Sequence, residues 1–572
     1  MNAAVLKKWV YGHPLTKALY QGAPAVYLHR LASLFGYRGI LGRELEDLSR
    51  VARAGAPGAA ASSSERTRIL LVTPRNFRTH ATFQIGIAQA LGQRGAECAV
   101  ATCGGAMPVC EVTWAEKETW PRCARCREYV TELAAAAGVR LFDLHAHEDA
   151  AVAGTADREV AALPAASLQA YEWNGLPLGR FAVPPTRWRL RSHEIGRHPD
   201  GEAVLRDFIR GGIRWATAIE SVLDAFRPNV LVMLNGLFMA ERVTWAIAQR
   251  RGIRCVFFER GRDAGTVFLS HDQSAPRYDI TDTWKQVAEV PLSETERHRI
   301  VGLLDRRARG EQMVETYWET KQSDEAKIRA QLRLSPNRPL AVLFSNVVWD
   351  TAMQDRDTLF SGMFDWITET IRLFQAHPQW DLVIRIHPAE TQVLGRESHD
   401  RVADWVGEAF DRLPDNVRII LPEEPIDSYV LMRMATVGCV YASTVGLEMA
   451  AAGVPVVVAG DAHYSRRGFT LDPTDRAEFR RYITEAMEGV HAGRRERNRE
   501  SALQYAYVFF LRRMYPMTVL TEPAEARPIV AYSSLGELKP GASPILDLIC
   551  EGILHGTSFE KPGGTVAPAT NV

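Results

Sequence analysis

The sequence lacks several features that would place it in a specialised class of protein. Lys plus Arg and Asp plus Glu both number 68 in 572 residues, so no excess of positive charge predicts nucleic-acid binding. No uninterrupted apolar run reaches the ~18 residues that a membrane span needs. The N-terminus contains no compact apolar segment followed by a cleavage site, so the sequence does not predict secretion. The eight cysteines lack a regular spacing along the chain, which favours a reducing cytoplasm over a disulfide scaffold.

Acidic residues are absent from the N-terminal segment. Residues 1–43 contain six Lys or Arg residues and no Asp or Glu, and they are rich in Tyr and Leu. A basic, aromatic segment of this kind predicts binding to the anionic inner face of the cytoplasmic membrane as a peripheral protein. The alternative is a basic helical extension that packs on the main body.

Two stretches of the chain alternate strand-like and helical patterns. The first has apolar runs at 68–74, 98–103, 229–236 and 253–261, with a helical pattern at 81–95. The second has apolar runs at 339–346, 380–388, 417–422, 436–444 and 454–460. Such alternation predicts an α/β fold of two doubly wound, Rossmann-like domains that face a cleft, with an N-terminal helical extension. The predicted segments are 1–62 (extension and linker), 63–285 (first domain), 286–335 (helical connector), 336–490 (second domain), 491–555 (C-terminal helices) and 556–572 (disordered tail).

The stretch RIHPAE (385–390) places charged residues directly after an apolar strand. Arg385 and His387 are predicted to lie at the carboxyl end of a sheet, where Pro388 ends the strand. Arginine can bind a phosphate with two parallel hydrogen bonds, and histidine can donate a hydrogen bond or a proton to it. The alternative is a surface turn with a histidine. Glu390 is predicted either to orient Arg385 or to face water.

The stretch YASTVGLEM (441–449) places hydroxyl groups between a strand and a helix. Ser443 and Thr444 precede the predicted helix, whose free backbone N–H groups and dipole favour a phosphate. Gly446 would let a ligand approach the backbone, and Glu448 would accept hydrogen bonds from ribose hydroxyls. The alternative is that Ser443 and Thr444 are only helix caps.

A third strand end is LFSNVVWD (343–350), in which Ser345 and Asn346 follow the apolar run and Trp349 and Asp350 continue the loop. This is the first strand of the second domain, so its loop is predicted to face a ligand at the switch point of the sheet. The alternative is a turn with a packed tryptophan.

Glu259 ends a strand of the first domain, after Val256, Phe257 and Phe258. Partial burial there predicts a raised carboxyl pKa, as a general base requires. The alternative is a structural ion pair with Arg260 or Arg262.

Four cysteines, Cys103, Cys110, Cys123 and Cys126, have the spacing C-x6-C-x12-C-x2-C. A C-x2-C pair is a common half of a tetrahedral zinc site, so structural zinc is one interpretation. Reduced free thiols are the other.

Together, FSNVVWD, RIHPAE, YASTVGLEMAAAGVPVVV and GDAHYSRRGFT (460–470) resemble the bacterial capsule polysaccharide biosynthesis family of glycosyltransferases, most closely over 340–475. The resemblance implies a two-domain fold of the GT-B type, related to transferases of 3-deoxy-manno-octulosonic acid (Kdo) and to bacterial sialyl- and polysialyltransferases. It implies that His387 and Pro388 form the His-Pro motif and that Ser443 and Thr444 form the serine pair that binds nucleotide phosphate. Glu259 would correspond to the carboxylate that activates the acceptor, although Arg260 stands where the family often has an acid.

We expect inverting, metal-independent transfer from a nucleotide-sugar, with a CMP-sugar favoured, to a polysaccharide or glycolipid acceptor. Fixed donors at the phosphate would replace a bound metal, and the sequence has no DxD cluster in a convincing loop. His463, Tyr464, Arg467 and Gly468 would hold donor or acceptor. The alternatives are a UDP-sugar or CDP-glycerol-type transferase, an epimerase of the same fold, and a non-catalytic polysaccharide-binding or export protein.

Overall fold

The computed structural model describes residues 43–54, 66–111, 119–311, 317–318, 320–393, 397–522 and 528–561. Within these ranges the chain forms two compact units. The first unit contains residues 43–190, 195–278 and 513–561, and the second contains 191–194 and 279–512. The predictions for the basic segment 1–43 and the tail 556–572 fall largely on residues outside the described ranges.

The first unit is built on a mainly parallel sheet of buried aliphatic strands. Strands β1 to β5 pair in the order β5-β4-β1-β2-β3 and run parallel, and β6 pairs antiparallel with β5. The order reverses between β1 and β4, which makes the carboxyl ends of these two strands the switch point of the sheet. The strands are β1 (Arg68–Val72), β2 (Glu97–Thr102), β3 (Arg140–Asp143), β4 (Val230–Leu234), β5 (Arg254–Arg260) and β6 (Thr266–His271).

The helices of the first unit cover this sheet and begin and end at recognisable signals. Asp149 caps the helix at 150–162 by accepting from two backbone N–H groups, and Arg227 ends the longest helix in a left-handed conformation. The helices are α1 (Arg43–Ala54), α2 (Arg78–Gly92), α3 (Thr119–Ala136), α4 (Ala150–Ala162), α5 (Leu178–Leu190), α6 (Gly201–Phe226) and α7 (Met239–Arg250).

The second unit contains a five-stranded, fully parallel sheet in the order β11-β10-β7-β8-β9. Strand β7 lies at the centre, between β10 and β8, so the loops that follow these three strands emerge side by side. The strands are β7 (Leu340–Phe344), β8 (Asp381–Arg385), β9 (Val417–Ile420), β10 (Val437–Val440) and β11 (Val456–Val458).

Nine described helices belong to the second unit, and three of them precede its first strand. Ser293 and Glu296 form a capping box at the start of the second, in which each side chain meets the backbone N–H of the other residue. The helices are α8 (Thr281–Val287), α9 (Glu294–Ala308), α10 (Glu325–Gln331), α11 (Met363–Gln375), α12 (Val402–Ala409), α13 (Ser428–Met434), α14 (Val445–Ala451), α15 (Arg476–Met487) and α16 (Arg495–Tyr507).

Residues 513–561 belong to the first unit, although they follow the whole second unit in sequence. Strand β12 (Tyr515–Pro516) pairs antiparallel with β6 and extends the first sheet by one strand. Strands β13 (Leu520–Thr521) and β14 (Ile529–Val530) form a small ribbon, and helix α17 (Pro544–His555) follows. Val519 packs so closely on α2 that a Cβ at Gly86 would lie 2.7 Å from the Val519 Cβ.

The predicted fold class, α/β with two Rossmann-like sheets, is confirmed. Among the described residues, none of the helices combines the length and the apolar composition that crossing a membrane would demand.

Candidate functional site

The residue that follows β7 ties the β7 and β8 loops together. The Ser345 hydroxyl accepts the backbone N–H of His387 at 2.9 Å, and the Ser345 N–H donates to the Arg385 carbonyl at 3.1 Å. Ser345 is buried. The start of the His-Pro turn is therefore fixed from the central strand.

The next residue, Asn346, contacts the loop on the other side of β7. The Asn346 side-chain oxygen accepts the backbone N–H of Ala442 at 3.4 Å, in the loop that follows β10. One dipeptide at the end of β7 thus contacts both adjacent loops. The structure brings Ser345, Asn346, His387 and the Ser443 loop to one edge of the second sheet.

His387 caps the turn that it begins. Its Nδ1 atom accepts the backbone N–H of Ala389 at 3.1 Å, and Pro388 to Glu390 form a single 3-10 turn. Its ring lies 5.9 Å from the ring of Tyr317, edge to face. Tyr317 was missed from the sequence, because it lies in the charged stretch before α10 and carries no strand-end signal.

Arg385 is buried rather than presented on the surface. One of its terminal nitrogens donates to the Leu421 carbonyl at 2.8 Å, and its guanidinium lies 5.1 Å from the centre of the Trp318 ring. Nε and the other terminal nitrogen have no hydrogen-bond partner among the described residues. Burial lowers the pKa of Arg385 to about 10, so the side chain still carries its charge at neutral pH.

Glu390 neither orients Arg385 nor faces water. Its carboxylate is buried, and one oxygen accepts the backbone N–H of Val402 at 2.9 Å, at the start of α12. Its carbonyl accepts the N–H of Ser398 at 2.7 Å. Burial raises the pKa of Glu390 to about 7. Glu390 therefore anchors the far end of the His387 loop.

Ser443 and Thr444 behave differently at the start of α14. The Ser443 hydroxyl accepts the N–H of Val445 at 3.3 Å, whereas Thr444 makes no side-chain cap hydrogen bond. The capping alternative therefore describes Ser443 and leaves the Thr444 hydroxyl uncommitted to the helix.

The close approach at Gly446 is made by a tyrosine. A Cβ at Gly446 would lie 2.2 Å from the hydroxyl oxygen of Tyr464, which is fully buried and donates to the Ser443 carbonyl at 2.6 Å. Tyr464 thus supports the Ser443 loop from the protein interior.

Glu448 is also committed to the protein. One oxygen accepts from the guanidinium of Arg307 on α9 at 3.0 Å, and the other accepts the Tyr429 hydroxyl at 2.7 Å. Both charged side chains are about 6% exposed. The predicted contact of Glu448 with ribose hydroxyls is therefore corrected, since both oxygens are buried and occupied.

The remaining predicted residues of the second unit mostly make structural contacts. The Trp349 indole N–H donates to the Ser398 hydroxyl at 2.8 Å, and Asp350 caps a short 3-10 turn. His463 lies 3.1 Å from the Tyr505 hydroxyl and stacks on Phe509. The side chain of Arg467 donates to the Thr281 hydroxyl at 2.6 Å. Gly468 is exposed, with φ +89°.

In the first unit, Glu259 is part of a three-residue cluster at the carboxyl ends of β1, β4 and β5. Asn235, just after β4, donates its amide N–H to one Glu259 oxygen at 3.2 Å. The other oxygen accepts the Arg260 backbone N–H at 2.9 Å and lies 3.8 Å from Nε2 of His80, in the first turn of α2. His80 and Asn235 were not identified from the sequence, because His80 lies in a polar stretch with no distinctive motif.

The predicted rise in the pKa of Glu259 is wrong in direction. Burial does raise it, but the His80 imidazole, the Arg260 N–H and the Asn235 amide together hold the pKa below its ordinary value. The alternative ion pairs are absent too: the Arg260 side chain pairs with Glu522 at 3.1 Å, and Arg262 lies over the Tyr278 ring.

The four spaced cysteines are reduced and form no disulfide. Burial raises the pKa of the thiols of Cys103, Cys123 and Cys126, that of Cys123 to about 11. Within the described ranges, no group of three or more His, Cys, Asp or Glu side chains is arranged to hold a metal ion. The structure therefore gives no support to the zinc interpretation.

Comparison with protein families matches nearly half of the chain to a family model. Residues 243–507 match the family model described as capsule polysaccharide biosynthesis protein. The matched segment contains Glu259 and the strand-end motifs of the second unit, so the resemblance read from the motifs is confirmed over this range. A search of curated proteins found no match.

Solved structures with similar chains have low identity and low structural scores. They include a beta Kdo 2,4 transferase, KpsC of Thermosulfurimonas dismutans, with 13% identity, a TM-score of 0.33, and coverage of 54% of this chain and 87% of that one. UDP-GlcNAc 2-epimerase of Neisseria meningitidis has 11% identity, a TM-score of 0.25 and coverage of 77% and 97%. The spinosyn rhamnosyltransferase SpnG has 12% identity, a TM-score of 0.27 and coverage of 79% and 98%. At these scores the likenesses carry no conclusion about function.

Proposed function

The segment 243–507 belongs to the capsule polysaccharide biosynthesis family, and from this premise we propose that the protein is a glycosyltransferase. It transfers a sugar from a nucleotide-activated donor, with a CMP-sugar favoured, to a growing capsular or surface polysaccharide or its lipid-linked acceptor. The transfer proposed is inverting and independent of a metal ion.

The observation that carries the proposal is the joining of three loops at one edge of the second sheet. Ser345 holds the His387 loop and Asn346 holds the Ser443 loop, through hydrogen bonds of 2.9 and 3.4 Å. A ligand at the carboxyl ends of parallel strands meets the side chains of such loops together. An imidazole and two hydroxyls suit the phosphate of a nucleotide.

The proposed chemistry follows from where charge develops. As the bond between the anomeric carbon and the phosphate oxygen breaks, its electron pair leaves on the nucleotide phosphate. His387 and the Ser443 loop stabilise that charge through hydrogen bonds. Arg385 keeps two guanidinium nitrogens without a described partner and adds positive charge from beneath. Activation of the acceptor hydroxyl is assigned to the cluster around Glu259.

The test combines nucleotide binding with turnover. The purified protein should be stabilised against heat by CMP more than by UDP or CDP, since a ligand that binds only the folded state raises the unfolding temperature. It should transfer sugar from a CMP-sugar, and chelation of divalent ions should leave the rate unchanged.

His387→Ala should abolish transfer while the protein stays folded. His298→Ala is the matched control, because His298 is exposed on helix α9. Transfer that survives His387→Ala would remove the role assigned to this residue. Stabilisation by UDP with interconversion of free UDP-sugars would favour an epimerase, and glycan binding without nucleotide binding would favour a non-catalytic protein.

We also propose that residues 1–43 hold the protein at an anionic membrane surface, on the basis of their charge and aromatic content. Binding to vesicles that contain anionic lipid should fall when these residues are deleted and should fall with added salt. Unchanged vesicle binding after the deletion would contradict the proposal.

A further inference from the structure

The contacts of Glu259 are those of a carboxylate that orients a neighbouring side chain. One oxygen accepts the Asn235 amide N–H at 3.2 Å, and the other accepts the Arg260 N–H at 2.9 Å and lies 3.8 Å from Nε2 of His80. A carboxylate surrounded by donors is stabilised as the anion and takes up a proton poorly. Glu259 is therefore a weak candidate for receiving the acceptor proton itself.

His80 is placed to receive that proton. It lies in the first turn of α2, the helix that follows β1 along the chain, and its Nε2 faces Glu259. Its ring packs near Phe77 and Phe258, with centroids 5.8 and 6.0 Å away, and the side chain remains 18% exposed. One ring edge thus faces the carboxylate, while part of the ring reaches solvent at the switch point of the sheet.

A second carboxylate holds this arrangement in place. Glu522 accepts the Thr79 hydroxyl at 2.6 Å and pairs with the Arg260 side chain at 3.1 Å. Thr79 precedes His80, and Arg260 follows Glu259. Glu522 therefore contacts the side chains next to both members of the pair, and the Arg260 guanidinium pairs with Glu522.

Building on the proposed function, we propose that His80 is the catalytic base and that Glu259 is its positioning residue. The acceptor O–H proton passes to a ring nitrogen of His80 as the acceptor oxygen bonds to the anomeric carbon. The bond between the anomeric carbon and the phosphate oxygen breaks, and its electron pair leaves on that oxygen with the nucleotide. Glu259 orients the imidazole and stabilises the imidazolium, as the carboxylate of a catalytic triad does.

The test measures transfer by His80→Asn, Glu259→Gln and the double variant at saturating donor. His80→Asn should lower kcat by about 100-fold or more, the usual contribution of a general base. The KM for the donor and the thermal stabilisation by CMP should stay at wild-type values. Because the two residues act as one unit, the double variant should be no slower than His80→Asn alone.

The matched control is His555→Asn, which removes an exposed histidine 3.5 Å from Glu551 elsewhere in the first unit. Its kcat should equal that of the wild type. If His80→Asn does not fold, as judged by thermal unfolding, His80→Gln takes its place.

Two results would overturn the inference and leave the proposed function standing. One is a His80 variant that transfers within about threefold of wild type while Glu259→Gln is inactive, because Glu259 would then act alone. The other is a double variant whose loss equals the product of the single losses. A wild-type protein that transfers from no nucleotide-sugar would overturn the proposed function and this inference together.

Discussion

The hydroxyl of Ser345 accepts the backbone N–H of His387 at 2.9 Å, so the central strand of the second sheet holds the turn of the His-Pro motif. Ser345→Ala removes the acceptor and leaves a part-buried N–H unpaired. We expect a loss of about 1–3 kcal/mol in the free energy of unfolding, together with weaker stabilisation by nucleotide. Denaturant unfolding with and without CMP measures both effects. The control is Ser335→Ala. The Arg338 N–H donates to the backbone carbonyl of Ser335, which the substitution keeps, so neither the free energy of unfolding nor the stabilisation by nucleotide should change.

Gly446→Ala should destabilise the second unit. The new Cβ would lie 2.2 Å from the Tyr464 hydroxyl oxygen and 2.9 Å from a Val440 methyl, so neighbours must shift. Overpacking of this kind costs roughly 1–3 kcal/mol. Gly493→Ala is the control, since nothing lies within 4 Å of a Cβ there. Equal unfolding midpoints for the two variants would contradict the packing described.

Glu448→Ala should destabilise the second unit more than the loss of an exposed carboxylate would, because Glu448 is buried. It leaves the Arg307 charge buried without its carboxylate, and breaking a buried pair costs about 3–5 kcal/mol. The comparison is Glu325→Ala, which breaks the exposed pair with Arg329 and should cost under about 1 kcal/mol. A Glu448 variant that unfolds like the wild type but loses nucleotide affinity would restore a direct contact with ligand.

Glu390 should make the stability of the second unit depend on pH. Its pKa in the folded protein, about 7, is above the ordinary value of 4.5, so the folded state binds the proton more tightly. Stability should therefore fall as pH rises from about 4.5 to 7, by at most about 3 kcal/mol. Glu390→Gln keeps an oxygen for the Val402 N–H and should remove this part of the slope. An unchanged pH profile of unfolding in the variant would refute the assignment.

The strand ends of the second unit could be predicted from the sequence, because apolar runs stop where polar residues begin. Ser345, His387 and Ser443 each follow such a run, and parallel pairing brings their loops to one edge. The sequence does not show, however, how deeply each of these side chains is buried. Arg385 and Glu448 have the residue types of a phosphate and ribose site, yet both side chains are buried in the second unit.

The cluster of the first unit could be predicted only in part. Glu259 stands at an evident strand end, but His80 and Asn235 meet it through the strand order β5-β4-β1, which no local pattern encodes. The direction of the pKa shift of Glu259 was missed for the same reason. Burial was readable from the neighbouring phenylalanines, whereas His80 and Asn235 come from distant parts of the chain.

The return of residues 513–561 to the first unit has a consequence for synthesis. A ribosome that has made β1 to β6 has not yet made β12, Lys561 or helix α17, and Lys561 donates to the Met514 carbonyl inside that unit. The second unit is complete by residue 512, before the first can close. The first unit therefore stays incomplete, with one sheet edge and part of its core uncovered, until residues 513–561 have been synthesised after the second unit.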